Sequence, residues 1–223
     1  MSVTLTQLKT RCRQRADMEN SNFISASELT GLINSSIHEL HDLLIQCYDT
    51  DYYLSSYTFS TSANVDSYAL PSDFYKMRGL DMKITSTDWD SIRPFSFADR
   101  NLYQNTSWSN ASYGRYRLMG SNLVLMPKPT ATYDSQLWYI PSSVELSASG
   151  DTFDGINGFE EFVVIDTAIK MRVKEESDIT ALALAKKEMQ RRIEEAAQNR
   201  DAGFSEVITD VNNNNTDYAE LRF

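Results

Sequence analysis

Between residues 29 and 47, apolar side chains recur at steps of three and four: Leu29, Leu32, Ile33, Ile37, Leu40, Leu44 and Cys47. A strand turns alternate residues to opposite faces, so only a helix gathers this set on one side. Ser25 and Glu28 stand at capping-box spacing just before it, with Ile24 and Leu29 at the staple positions. The run therefore reads as a core helix that needs a partner of similar length. An earlier helix starts at a second capping-box pair, Thr4 and Gln7, and carries Leu5, Leu8 and Cys12 on one face. The segment ADMENSNFIS separates the two.

From about residue 52 to 147 the periodicity changes. Tyr, Thr, Ser, Phe and Val dominate, and the five prolines all lie in this block. Tyr57 to Thr61 and Asp66 to Leu70 are expected to pair across SANV. RYRLM and NLVLM flank Gly120-Ser121, a two-residue loop suited to a II′ turn. Gln136 to Ile140 is expected to add a third strand to that hairpin. Between Ile84 and Tyr113 the pattern is weak, and NLYQNTSWSNAS reads as an exposed contact loop bearing Tyr103, Trp108 and Tyr113.

Helical spacing returns after residue 157. Asn157 and Glu160 form an expected cap pair, followed by Phe159, Phe162, Val163, Ile169 and Val173. KEESD ends that helix, and Leu182, Ala185, Met189, Ile193 and Ala196 mark the stripe of the next. Lys186, Lys187, Arg191 and Arg192 alternate with Glu188, Glu194 and Glu195, which reads as a solvated or subunit-facing surface. Gly203 is placed as the helix terminator. Beyond it, Asn212 to Asn215 act as a spacer before Tyr218, Leu221 and Phe223.

Thirty-one acidic residues against 21 basic give a formal net charge of −10. Gripping a nucleic-acid backbone takes a basic surface, so this balance argues against it. An acidic wall past which DNA slides is still compatible. Two cysteines, Cys12 and Cys47, do not make a disulfide framework. No apolar run approaches a membrane span, and the first residues lack a signal peptide's apolar core. Synthesis in the cytosol is the expectation, with exit only inside a larger particle.

Only two histidines occur, His38 and His41. His38-Glu39-Leu40-His41 is one residue short of the zincin helix, whose histidines lie four apart. With no third histidine, neither a metal site nor a catalytic site is expected, and the pair reads as a partly solvated helix edge. The chain holds no G-x-G-x-x-G, no P-loop and no nucleophile elbow. The expectation is therefore a protein that is no enzyme and takes no cofactor.

In RQRADMENSNFISASELTGLINSSIHELHDLL the chain resembles head-to-tail adaptor proteins of short-tailed phages. YALPSDFYKMRGLD, RPFSFADRN, FEEFVVIDTAIKMRVKEESD and QNRDAGFSEVITD follow in the family's order. Together they span about residues 11–210, and their motifs are structural, with no catalytic residues to carry over. The resemblance implies an α+β fold: a four-helix bundle of two N-terminal and two C-terminal helices, with an inserted antiparallel β domain. It implies a ring of subunits beneath the portal protein that extends the DNA channel and receives the tail components. At −10 per subunit, a dodecamer would carry about −120, a field that disfavours tight phosphate contact.

On this reading residues 1–50 hold the N-terminal helices, 51–156 the β domain, 157–204 the C-terminal helices and 205–223 an extended arm. The residues themselves add two contact sets. Tyr218, Leu221 and Phe223 are expected to dock the arm on the portal. Tyr103, Trp108 and Tyr113 are expected to face the tail or nozzle protein. Expected partners are thus the portal, a tail protein and further copies of the chain, with genomic DNA passing unbound and no membrane. The expected location is the neck or tail of the virion. A different virion protein, such as a tail tube or nozzle subunit, is the alternative, and it would be richer in β structure.

Overall fold

The computed structural model describes residues 2–48, 52–83, 87–104, 114–156 and 158–198. The chain starts with a short strand, β1 (Ser2–Thr4), and helix α1 (Leu5–Arg15). Thr4 caps α1 from both directions: its Oγ1 accepts from the Gln7 amide at 3.2 Å, and its own amide donates to Gln7 Oε1 at 3.0 Å. Helix α2 (Ala26–Cys47) follows, with Ser25 Oγ accepting from the Glu28 amide at 3.2 Å. Both helices start where their capping residues place them.

Seven strands then form one curled sheet: β2 (Ser55–Ser60), β3 (Ser67–Ala69), β4 (Phe74–Lys83), β5 (Trp89–Pro94), β6 (Arg115–Met119), β7 (Asn122–Met126) and β8 (Asp134–Pro141). Their order across the sheet is β2-β8-β4-β5-β6-β7-β3. A 3₁₀ turn (Phe97–Asp99) and helix α3 (Arg100–Gln104) lie between β5 and β6. Strand β9 (Thr152–Asp154) pairs with β1, and helices α4 (Glu160–Lys174) and α5 (Thr180–Gln198) complete the described chain.

Two separate apolar cores result. Leu80, Met82, Ile92, Leu123, Leu125, Leu137 and Tyr139 line the inside of the sheet. The helical core gathers Leu5, Leu8 and Cys12 of α1, the α2 stripe, Phe162 to Val164 of α4 and Ile193 of α5. Gly155 lets the chain enter α4, because a Cβ there would lie 2.2 Å from the Glu160 amide nitrogen.

The expected four-helix bundle with an inserted antiparallel β domain is overturned. The chain is a mixed α+β fold with a curled half-barrel sheet and, among the described residues, five helices. In a bundle, four helices share one axis and contribute comparably to the core. Here α4 is the hub, buried from Phe162 to Ala168, and α1, α2 and α5 pack around it. Only Ile193 of α5 is fully buried, because its sequence offers few large apolar residues between charges. The sheet is not wholly antiparallel either, since β5 and β6 run parallel at Arg93–Arg115 and Pro94–Tyr116. The expected arm, 205–223, lies outside the described residues.

Three local expectations also change. β2 and β3 do not pair; they occupy opposite edges, on β8 and β7. The curl nevertheless brings the edges together, with the Phe59 and Tyr68 rings 5.3 Å apart and the Ser62 amide donating to Tyr68 Oη at 3.0 Å. The β6–β7 hairpin forms at Gly120-Ser121, with Gly120 at φ +61, but β8 joins β2 and β4 instead of extending it. In α4, Ile169 is half-buried and Val173 is 56 % exposed. Phe159 occupies the cap position with no side-chain bond, and Asn157 lies outside the described residues.

Candidate interaction surfaces

The two histidines on α2 part company. His41 is buried, with its ring 4.8 Å from Tyr53 and 5.8 Å from Tyr75. Burial pushes its pKa down, and the neighbouring His38 adds to this, against an opposing pull from Asp42. The expected solvated edge therefore holds only for His38, which bonds Ser143 and stands 3.8 Å from Glu145. Among the described residues, no group of three or more His, Cys, Asp or Glu side chains is placed to hold a metal ion.

Beside His41 lies a cavity of about 330 Å³ between α2 and the chain leaving β8. Ile37, Leu40, Tyr53, Pro141 and Phe153 give it a mainly apolar wall. Burial raises the Tyr53 phenol well above its ordinary value, so it does not ionise near neutrality. The wall offers shape and apolar contact, with a neutral imidazole at one side.

The polar centre of the helical layer is Asp166, which is 2 % exposed. Its Oδ2 accepts from Ser36 at 2.6 Å and faces Lys170 at 2.8 Å, and its Oδ1 accepts from Lys186 at 2.6 Å. Both lysines also reach Glu39, at 2.8 and 3.1 Å, and Thr167 donates to Ser36 at 3.1 Å. Burial acts to raise the Asp166 pKa, but bonds from Lys170, Lys186 and Ser36 outweigh it and the net shift is downward. The cluster clamps α5 onto α2 and α4. Lys186 thus turns inward, away from the outer charged surface where its neighbours suggested it would lie. Arg191 stays outside, paired with Glu188 at 3.0 Å and Glu195 at 2.5 Å.

A third feature sits where β5 and β6 run parallel. Phe95 to Gln104 packs beside the β6–β7 hairpin, and the Phe95 amide donates to the Tyr116 carbonyl at 3.1 Å. Arg117 Nη1 donates to the Phe95 carbonyl at 3.1 Å, and its guanidinium lies 5.6 Å from the Phe97 ring centre. Arg100 covers the same ring at 4.6 Å, and Arg115 lies 5.5 Å from the Tyr103 ring. Tyr103 is half-buried and packs 6.0 Å from Phe95, at the base of the expected contact loop. Trp108 and Tyr113 of that loop lie outside the described residues, as do Tyr218, Leu221 and Phe223 of the arm. The structure therefore brings together only Tyr103 and arginines that the sequence reading did not single out. Their signal was the recurrence of Arg115 and Arg117 on one strand face. Asp166 carries a comparable signal, as the one charge within the apolar run FVVIDTAI.

No described helix is long and apolar enough to cross a membrane. The model of one protein family, SU10 adaptor protein, matches residues 3–212. No curated protein matches the chain.

Proposed function

The chain belongs to the SU10 adaptor protein family, a phage head-to-tail adaptor family, and we infer that it is a structural adaptor of the virion neck. From that premise we propose that it assembles as a dodecameric ring beneath the portal protein, extends the DNA channel and carries the attachment site for tail components. The observation that carries this reading is the extent of the match: residues 3–212 take in both cores and every described element from α1 to α5. Its role is mechanical, with no catalysis and no cofactor. The net charge of −10 suits a lumen that must let DNA pass without holding it. The C-terminal residues Tyr218, Leu221 and Phe223 dock on the portal. The loop bearing Trp108 and Tyr113, rooted on Tyr103, meets the tail or nozzle protein. Synthesis takes place in the host cytoplasm, before assembly into the particle.

The test adds components in order. Purified chain is mixed with portal, then with the next tail component, and each complex is sized by sedimentation. Wild type should join the portal and then recruit the tail component. A Trp108→Ala variant should join the portal as well but recruit the tail component at least tenfold more weakly, as expected when an aromatic anchor is lost. Failure of wild type to sediment with the portal would end the proposal.

A further inference from the structure

We propose that the arginine and aromatic face beside β5 and β6 binds the acidic α4–α5 turn of a neighbouring copy of this chain. The proposal rests on the ring reading and names the two faces that meet.

The first face is a basic island on an acidic protein. Arg93 and Arg115 are register partners across the parallel strands, so their side chains share one side of the sheet. Arg117 follows two residues on, and Arg100 shares the Phe97 ring with it. Arg93, Arg100 and Arg117 have no carboxylate partner among the described residues. The lysines of the helical layer differ: Lys170, Lys174 and Lys186 each face one. Planar guanidinium groups laid on rings keep outward N–H donors that match carboxylates in pairs. Phe97 is 51 % exposed and Leu102 68 %, so apolar surface lies among the charges.

The second face has the opposite charge and a similar apolar share. Glu175, Glu176 and Asp178 are all exposed in the turn after α4. Val173 at 56 % and Leu184 at 63 % exposure flank them. The turn is held firmly: the Ser177 amide donates to the Arg172 carbonyl at 3.0 Å, and Asp178 accepts from the Thr180 amide at 2.9 Å. These bonds fix the turn's backbone: Asp178 caps Thr180, Glu175 accepts from Ser177 at 2.9 Å, and Glu175 and Glu176 stand exposed.

The basic face lies on the sheet and the acidic turn on the helical layer, each with its own core. A contact between two different patches on identical subunits is heterologous, and heterologous contacts close rings when the rotation permits. Arginine and aromatic residues are those enriched at the energetic centres of interfaces. Opposed charge adds steering and register. DNA is a poorer occupant, because the long-range field of a chain at −10 repels phosphates before the small basic face can act.

Charge reversal tests the pairing. Three variants are made: Arg93→Glu with Arg100→Glu, Glu175→Lys with Glu176→Lys, and all four together. Thermal melting first confirms that each folds. Ring assembly on the portal is then scored by negative-stain microscopy. Each two-site variant should lose assembly at least tenfold, and the four-site variant should recover most of it, because the reversed faces again complement each other. Wild-type assembly by either two-site variant, or no recovery in the four-site variant, would overturn the pairing. So would an arginine variant that still forms rings but loses retention on DNA. Absence of rings from wild type would instead bring down the ring reading itself.

Discussion

Replacing Asp166 by alanine is expected to destabilise the fold by about 3 kcal/mol, near the lower end of what breaking a buried ion pair costs. Asp166 is 2 % exposed and is the meeting point for Lys170, Lys186 and Ser36. Its loss leaves two lysines, each about one-quarter exposed, sharing the Glu39 carboxylate, while Lys170 also keeps its bonds to Ser35 and Ser36. Those remaining partners keep the cost below the top of the range. Urea titration of both proteins reads the difference, and a loss under about 1 kcal/mol would show that the cluster does not hold the layer together. The same cluster sets a pH dependence. The folded-state pKa of Asp166 is depressed, so its contribution is present above the unfolded carboxylate value of about 3.9 and is lost as pH falls through the folded one. Burial lowers the Lys186 pKa, but bonds from Asp166 and Glu39 outweigh this and raise it overall. Its contribution is therefore present below about 10.4 and is lost as pH rises through the folded value. Asp166→Asn should flatten the acid limb of stability against pH.

Truncation after Asp210 is expected to abolish most portal binding while leaving the melting temperature within a few degrees of the full chain. The helical core closes with Ile193, and no residue beyond Ala196 packs against it among the described residues. The arm's expected anchors, Tyr218, Leu221 and Phe223, follow the four asparagines in sequence and lie, like them, outside the described residues. On the proposed ring, identical arms would act at high effective concentration, so several weak anchors suffice. Co-sedimentation of each protein with the portal checks this, and undiminished binding by the shortened chain would leave the arm without a role.

The helices were legible because their signals are local. Thr4 with Gln7, Ser25 and the α2 stripe each act within a few residues, and the structure begins α1 and α2 accordingly. How the helices share a core was not legible, because that depends on α4 being buried nearly all round, which no single stripe encodes. The sheet hid for a different reason. In β4 the pairing with β8 shifts between Phe74 and Lys76 and again between Met77 and Gly79, so alternation breaks where it would have been read. β5 buries Ile92 alone; it pairs antiparallel with β4 and meets β6 through a short parallel contact across a 20-residue connection, Phe95 to Gly114. QLWYI read correctly as a strand, but partner choice is long-range, and β8 sits between β2 and β4. At the surfaces, Tyr103 was visible as a polar-loop aromatic. The arginines over it and over Phe97 were not, because sequence adjacency does not join residues 100, 115 and 117.

The most direct test of the adaptor account is negative-stain microscopy of the purified chain mixed with its portal. The account predicts class averages in which a closed, symmetric ring with a central opening is added beneath the portal. Averages of the mixture that match the portal alone, or that show density without rotational symmetry, would contradict it.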